Sequence, residues 1–188
     1  MPIEHEKKYR LNGDSFAAIE RRLDDLGAEY RGKFFEENIL FENESLRDRG
    51  AFLRVRKANG KTILTFKRKI SVESGIKSQL EFETEVADLD AVLSIIAELG
   101  LTEVLVYEKR RSTWHIDNAE ILLDELPFGL YMEIEGDVAA IGFAEARLEA
   151  DRLEVEEETY PMLTSRHGNK EDGIPRAVFG EGSPVKAG

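Results

Sequence analysis

Cysteine is absent from the sequence, and histidine occurs only three times. The lack of cysteine excludes disulfide bonds, thiolate catalysis and cysteine-ligated zinc. No Ser-His-Asp arrangement and no glycine-rich Walker loop is recognisable. No apolar run approaches the roughly 18 residues of a membrane span, and the N-terminus does not resemble a signal peptide. We therefore expect a cytoplasmic protein without a membrane partner.

Basic residues are also in short supply. The chain has 26 Lys and Arg against 38 Asp and Glu, which gives a formal net charge of −12. Nucleic acids and anionic membranes need a basic field, so neither is expected as the main partner. Residues 145–158 hold seven acids and two bases and so carry −5 of the total. A small polyanion remains compatible with the rest of the chain if its bases converge locally, and a homodimer is compatible as well.

The apolar pattern predicts a single domain that is rich in strands. The dipeptide Asn59-Gly60 between two of them is a strong hairpin signal. Pro127-Phe128-Gly129 marks a further bend. The predicted strands cover residues 2–11, 33–42, 51–58, 61–70, 77–87, 103–116, 119–126 and 130–136.

Three amphipathic helices are predicted between and after these strands. The first starts at a cap on Asp14 or Ser15, the second starts near Asp88, and the third starts near Asp137. The acidic run Glu154–Glu158 is predicted to be the solvated face of a helix. Residues 165–188 show little apolar periodicity, so we place the domain at 1–164 and an irregular tail after it. Eight strands with three helices predict an α+β fold, in which a closed antiparallel β-barrel has its helices packed outside.

Charged residues occupy alternate positions along nearly every predicted strand. Side chains two apart share one face of a strand, so Glu4, Glu6 and Lys8 project together. The same pattern returns with few uncharged polar residues between the charges. The later members are Arg54, Arg56, Lys67, Lys69, Glu81, Glu83, Lys109, Arg111, Asp124, Glu133 and Glu135.

Two structures can account for this alternation. An open sheet with one wet face would pair the charges across strands in solvent. A closed barrel would instead turn them into the lumen and place apolar residues such as Leu53, Trp114 and Met132 outside, under the helices. Because a buried unpaired ion costs several kcal/mol, such a lumen must hold water, metal ions and a polyanion.

These charged pieces, in this order, resemble the CYTH superfamily, also called triphosphate tunnel metalloenzymes. The Glu-x-Glu-x-Lys signature matches residues 4–8, and the remaining charged positions follow over about residues 3–136. One departure is Gln79, where relatives often carry a basic residue. The family includes class IV adenylate cyclases, thiamine triphosphatases and inorganic triphosphatases.

The resemblance implies that a triphosphate lies in the barrel beside Mg²⁺ or Mn²⁺, both of which accept oxygen ligands. Glu81 and Glu83 are expected to contribute to the substrate site by orienting its basic side chains. The expected catalytic set is Glu4, Glu6, Lys8, Glu133 and Glu135. The expected metal ligands are Glu4, Glu6, Asp124, Glu133 and Glu135. The expected phosphate-binding residues are Lys8, Arg54, Arg56, Lys67, Lys109 and Arg111.

Three functions fit such a lumen. A metal-dependent triphosphatase is favoured, because hydrolysis needs no purine pocket and none is evident. A class IV adenylate cyclase would use the same lumen to form cyclic AMP and pyrophosphate from ATP. A non-catalytic polyphosphate or nucleotide sensor is the third alternative, although the bases alone would be enough for binding.

Overall fold

The computed structural model of the chain describes residues 3–180. Residues 1–2 and 181–188, including that part of the expected tail, lie outside the described residues. The barrel strands are β1 (Ile3–Leu11), β2 (Glu29–Glu42), β3 (Ala51–Ala58), β4 (Lys61–Glu73), β5 (Ile76–Glu85), β6 (Thr102–Ile116), β7 (Ala119–Leu126) and β8 (Gly129–Glu135). The helices are α1 (Gly13–Asp25), α2 (Glu44–Asp48), α3 (Leu89–Glu98), α4 (Val138–Leu148) and α5 (Tyr160–His167).

The eight strands close into an antiparallel barrel, as the sequence predicted. Their order is β6-β2-β3-β4-β5-β1-β8-β7, and β7 pairs back onto β6. Strand β2 forms the longest pairing, with β6, and it contains register shifts between Tyr30 and Gly32 and between Leu40 and Phe41. Such bulges increase local twist and help a sheet to curve. The alternation of the sequence therefore separates an inner face from an outer face.

Local signals define most of the boundaries. Asn59 and Gly60 have φ values of 49° and 72°, the left-handed backbone that a tight hairpin requires. The predicted cap of α1 is wrong by two or three residues, because Asn12 accepts from the amide of Ser15. The Ser15 hydroxyl oxygen accepts a hydrogen bond from the Asn12 backbone N–H, which completes a capping box.

Two apolar layers cover the outside of the barrel. Helices α1 and α4 pack over the outer side chains of β1, β6, β7 and β8, among them the buried Trp114, Met132 and Ile134. Helix α3 contributes Ile96 to a layer over Val55 and its neighbours. The cover is incomplete, since Phe82 on β5 keeps 49% of its surface exposed. Because apolar residues are buried outside the barrel under the helices, the inner face of the strands can carry charged residues.

The C-terminal part departs from expectation in two ways. The acidic run is not helical: β9 (Glu154–Val155) pairs with β1, and Glu156 forms an ion pair with Arg10. Residues 165–177 are not irregular, because α5 continues to residue 167 and is followed by β10 (Asn169–Glu171) and β11 (Ile174–Ala177). Strand β11 lies parallel to β6 and extends the sheet. Strands β9 and β11 form because they pair with β1 and β6, which are distant in the sequence. Local apolar periodicity carries no information about such pairing.

Helix α5 lies at one end of the barrel, so not every helix packs on the outside. Its buried Tyr160 and Leu163 join inward-facing apolar residues of the strands. None of the helices among the described residues has the length and apolar character to cross a membrane. The inward cluster at this end, called the inner cluster below, consists of Leu40, Leu105, Tyr107, Leu126, Tyr131, Tyr160, Leu163 and Ala177.

Candidate functional site

The lumen holds a cavity of about 630 Å³. All of the predicted site residues line it except Asp124, which lies behind Lys109 and Arg111. The charges therefore face one another across the barrel lumen. The predicted residues lining the cavity are Glu4, Glu6, Lys8, Arg54, Arg56, Lys67, Glu81, Glu83, Lys109, Arg111, Glu133 and Glu135.

The cavity has a wet end and a dry end. Along β1, side-chain exposure falls from 20% at Glu4 to 6% at Glu6 and 3% at Lys8. Beyond Lys8 the lumen is filled by the inner cluster, whose Tyr160 and Tyr131 rings meet edge to face at 5.5 Å. A second cavity of about 440 Å³ adjoins the wet end. We call the wet end the mouth.

Three carboxylates crowd together at the mouth. Ligand-capable oxygens of Glu4, Glu6 and Glu135 all lie within 4.8 Å of one another. Glu6 and Glu135 stand directly opposite each other on β1 and β8, a like-charge pairing that destabilises a sheet. Burial and the neighbouring Glu4 raise the pKa of Glu135 well above its usual value. This oxygen-only, mutually repelling set fits a hard divalent cation.

Asp124 and Glu133 are not part of that group. They lie among basic side chains, where Glu133 contacts Lys8 at 3.3 Å and Arg111 at 2.5 Å. Asp124 is fully buried and accepts two bonds from the Arg111 guanidinium, at 2.7 and 2.6 Å. Burial alone would raise the pKa of Glu133, but Lys8, Arg111 and Lys109 outweigh it and lower that pKa. Glu133 and Asp124 therefore both form ion pairs that stabilise the basic side chains of the lumen.

The basic side chains form two groups. Lys8, Lys109 and Arg111 lie deep, next to the inner cluster, and the Lys8 ammonium sits 3.8 Å from the centre of the Tyr160 ring. Register explains why these side chains meet, since Lys8 is opposite Glu133 and Arg111 is opposite Asp124. The deep bases are thus held on the side away from the mouth.

The second basic group comes from β3 and β4. Arg54 and Arg56 both reach Glu83, at 3.3 and 3.2 Å. Lys67 bridges Glu4 and Glu81, each at 2.8 Å. Glu81 and Glu83 therefore contact the bases, as expected for acids that orient them.

Glu4 and Glu81 behave as a pair. Burial and the hydrogen bond with Glu4 raise the pKa of Glu81. Burial also acts to raise the pKa of Glu4, but the bonds to Glu81 and Lys67 outweigh it and lower that pKa. The pair therefore holds a proton more readily on Glu81 than on Glu4.

The structure adds lumen residues that the sequence reasoning missed. Lys77 on β5 lines the cavity and pairs with Glu6, so this strand does carry an inward base although Gln79 is neutral. Lys77 is four residues from Glu81 on the same strand, so the alternation of side chains could have predicted that both face inward. Glu36 on β2 is buried beside Lys109. Tyr160 had no strand pattern to reveal it, because a helix brings it into the barrel.

The histidines contribute little to the main cavity. The rings of His5 and His115 border the second cavity only. His5 hydrogen-bonds Ser78 at 2.8 Å, and His115 meets Glu120 at 2.6 Å. Glu120 lines both cavities, beside Glu135, and makes the mouth more acidic.

Solved structures share this fold. PH1012 protein from Pyrococcus horikoshii OT3 is 28% identical with a TM-score of 0.73, and the match covers 85% of this chain and 98% of that one. A candidate adenylate cyclase from Vibrio parahaemolyticus is 23% identical with a TM-score of 0.67, over 87% and 98% of the two chains.

A third likeness is to HpAC1 from Hippeastrum, a candidate adenylyl cyclase with a dominant triphosphatase activity. It is 17% identical with a TM-score of 0.67, over 88% of this chain and 95% of that one. No curated protein sequence matches the chain significantly. The family model of the CYTH domain matches residues 2–160, which include every strand of the barrel and the start of α5. The chain therefore belongs to the CYTH family.

Proposed function

We propose that the protein is a metal-dependent hydrolase of a triphosphate compound, which binds in the barrel lumen. One observation carries the proposal: a carboxylate trio and two groups of bases line the same cavity. Acids alone would suit a cation, and bases alone would suit an anion. A metal-bound polyphosphate needs both, arranged around one lumen.

Glu4, Glu6 and Glu135 would hold the metal ion, and Mg²⁺ and Mn²⁺ suit their oxygen donors. When bound, such an ion supplies charge neutralisation for phosphate oxygens and a more acidic water molecule. Glu133 would contribute to catalysis by fixing Lys8 and Arg111, which it contacts directly. Asp124 would support Arg111 and Lys109 from behind.

The bases would bind phosphate oxygens in order along the lumen. Lys8 and Lys109 contact the Tyr160 ring of the inner cluster, and Arg111 shares Asp124 with Lys109, so these three would receive the terminal phosphate. Arg54, Arg56 and Lys67 would hold the remaining phosphates, the arginines by paired N–H groups and the lysine by a point charge. Since the inner cluster fills the far end, the rest of the substrate would stay at the mouth.

This chain needs no nucleophile of its own for the reaction. Phosphoryl transfer depends mainly on in-line positioning and on neutralising charge at the phosphate oxygens. Fixed ionic groups in the barrel lumen provide both, because they need no reorganisation as the reaction proceeds. The buried ion pairs of Arg111 and Lys8 are such groups.

A class IV adenylate cyclase is the second candidate. The cavity at the mouth, about 440 Å³, adjoins the carboxylate trio and offers room for a nucleoside. The same lumen would then turn the ribose 3′-oxygen towards the α-phosphorus. Both activities are named among structures that share this fold.

A product assay separates these functions. The purified protein is given inorganic triphosphate, thiamine triphosphate or ATP, each with Mg²⁺, with Mn²⁺ and with a chelator. Orthophosphate release that stops with the chelator supports the hydrolase, whereas cyclic AMP with pyrophosphate supports the cyclase. Tight binding of all three without turnover would leave a sensor and refute catalysis.

A substitution tests the metal role of the trio. Glu135→Gln should lower metal-dependent turnover by about 100-fold or more, because it removes one of three anionic ligands. Glu98→Gln, on the exposed surface of α3, is the matched control and should keep wild-type turnover. Equal rates for the two variants at saturating metal would contradict the assignment.

A further inference from the structure

Glu36 is a buried acid that the proposed reaction has not used. It lies on β2, faces the barrel interior and is only 5% exposed. Its carboxylate oxygens lie 3.5 Å from the Lys109 ammonium and 3.9 Å from the Arg56 guanidinium. It does not line the cavity, so it stands behind these two bases as seen from the substrate's position.

The surroundings of Glu36 keep it anionic. Burial acts to raise its pKa, but Lys109, Arg111, Arg56 and Arg54 outweigh that effect and lower the pKa to about 2. The four cations come from β3 and β6, the strands on either side of β2. One carboxylate therefore sits beneath most of the predicted phosphate-binding bases.

Lys109 is the base that lies nearest to Glu36 in the ion pairs of that carboxylate. An ammonium group has three N–H donors, and two carboxylates lie within ion-pair range, Glu36 at 3.5 Å and Asp124 at 3.4 Å. Lys109 is 1% exposed, yet it still lines the cavity. The ammonium donates to Asp124, and Glu36 lies behind it at ion-pair distance, which leaves N–H groups for the lumen.

We propose that Glu36 is a positioning residue, which holds Lys109 and Arg56 from behind so that their remaining N–H groups point at the phosphates. The proposal rests on the proposed function for its substrate. Direct contact with phosphate is excluded by the like charge of Glu36 and by its place outside the cavity. Its effect must pass through the bases.

The neighbouring Asn38 supports a need for such an anchor. It is fully buried on the same face of β2, two residues further along. Among the described residues its side-chain amide has no hydrogen-bond partner for either the nitrogen or the oxygen. The Oε2 atom of Glu36 also has no hydrogen-bond partner there, but Glu36 carries a charge and lies at ion-pair distance from Lys109 and Arg56, so the inward polar residue of β2 that acts on the bases is Glu36.

Charge and position predict opposite effects when Glu36 is neutralised. Glu36→Gln removes one negative charge below the bases, so electrostatics alone should tighten polyphosphate binding. Lys109 would at the same time lose one of its two anchors, so the transition state should be held less well. We therefore expect kcat to fall by about tenfold or more while KM stays equal or decreases.

The experiment compares Glu36→Gln with Glu37→Gln, using inorganic triphosphate as the substrate and probe. Glu37 is the next residue of β2, is exposed and faces outward, so it is a matched control whose kcat should stay within about twofold of wild type. Glu36→Asp retracts the carboxylate without removing it and should give an intermediate kcat. If the Glu36→Gln variant does not fold, Glu36→Asp is used in its place.

A double-mutant cycle with Lys109→Met separates positioning from a general structural effect. If Glu36 acts mainly through Lys109, which is nearer to it than Arg56, Glu36→Gln should change kcat by less than about twofold in the Lys109→Met background. A full loss in that background, or a kcat for Glu36→Gln equal to that of Glu37→Gln, would overturn the proposal.

Calorimetry without metal keeps the test independent of turnover. The same cycle is measured for binding of inorganic triphosphate, and the two substitutions should be coupled by about fivefold or more in Kd. If the wild type binds triphosphate but hydrolyses nothing, the proposed function fails while this coupling still tests Glu36. Additive effects on Kd would refute the link between Glu36 and Lys109.

Discussion

Replacing Asp124 by asparagine should destabilise the protein by about 3–5 kcal/mol, whether or not metal is present. The carboxylate is fully buried and accepts from Arg111 at 2.7 and 2.6 Å and from the Tyr160 hydroxyl at 2.7 Å. The Lys109 ammonium adds a contact at 3.4 Å. An amide cannot match these bonds, and it leaves two buried cations with less compensation.

The assay is urea unfolding, followed with and without Mg²⁺. A loss of this size is a large share of a typical stability of about 5–15 kcal/mol, and it should lower Tm by about 6–20 °C for a chain of this length. Asp117→Asn is the control. This acid also pairs with an arginine, Arg147 at 2.6 Å, but it is 64% exposed, so it should cost less than about 1 kcal/mol.

Two results would refute this reasoning. A change below about 1 kcal/mol for Asp124→Asn would mean that the buried network does not depend on this carboxylate. A loss of stability seen only with Mg²⁺ would mean that Asp124 acts mainly as a metal ligand. The second result would return Asp124 to the metal role that the family resemblance implies.

Two further predictions concern the bases and their anchor. Because the pKa of Glu36 falls from 4.5 to about 2 on folding, its charge should stabilise the protein by about 3 kcal/mol above pH 4.5. That advantage over Glu36→Gln should disappear as the pH drops towards 2; a gap that stays constant from about pH 6 to pH 3 in urea unfolding contradicts it. Arg54→Ala should raise KM for triphosphate by about tenfold or more with a smaller change in kcat, since Arg54 lines the cavity. Steady-state kinetics check this against Arg152→Ala, a change at a 76% exposed side chain; an unchanged KM would count against phosphate binding by Arg54.

The inner face of the barrel could be predicted from the sequence because side-chain direction in a strand is local. Alternation on β1 places Glu4, Glu6 and Lys8 together wherever the strand lies. The Asn59-Gly60 turn is equally local, since its left-handed backbone depends on those two residues. Most of the lumen residues therefore followed from parity alone.

Parity became ambiguous where the pattern breaks. Strand β2 carries the doublets Phe34-Phe35 and Glu36-Glu37, in which both neighbours are of one kind. Either acid could have faced inward, and two register shifts in the pairing with β6 add to the ambiguity. The inward position of Glu36 appears only when β2 is paired with its neighbours.

Which acid meets which base was also decided by the tertiary structure. Sequence placed Asp124, Glu133 and Glu135 on one face but could not distinguish their partners. Barrel register sets Glu135 opposite Glu6, which have like charges, and Glu133 opposite Lys8, where opposite charges pair. Register depends on strand pairs distant in the chain, so no local pattern contains it.

The closed end of the lumen has the same origin. Tyr160 begins a short helix, and neither its neighbours nor its periodicity distinguish it from a surface residue. It enters the barrel because β9 pairs with β1 and β11 pairs with β6, which brings α5 against that end. Local side-chain alternation thus determined which residues can face inward, while long-range pairing decided what they meet there and where the cavity ends.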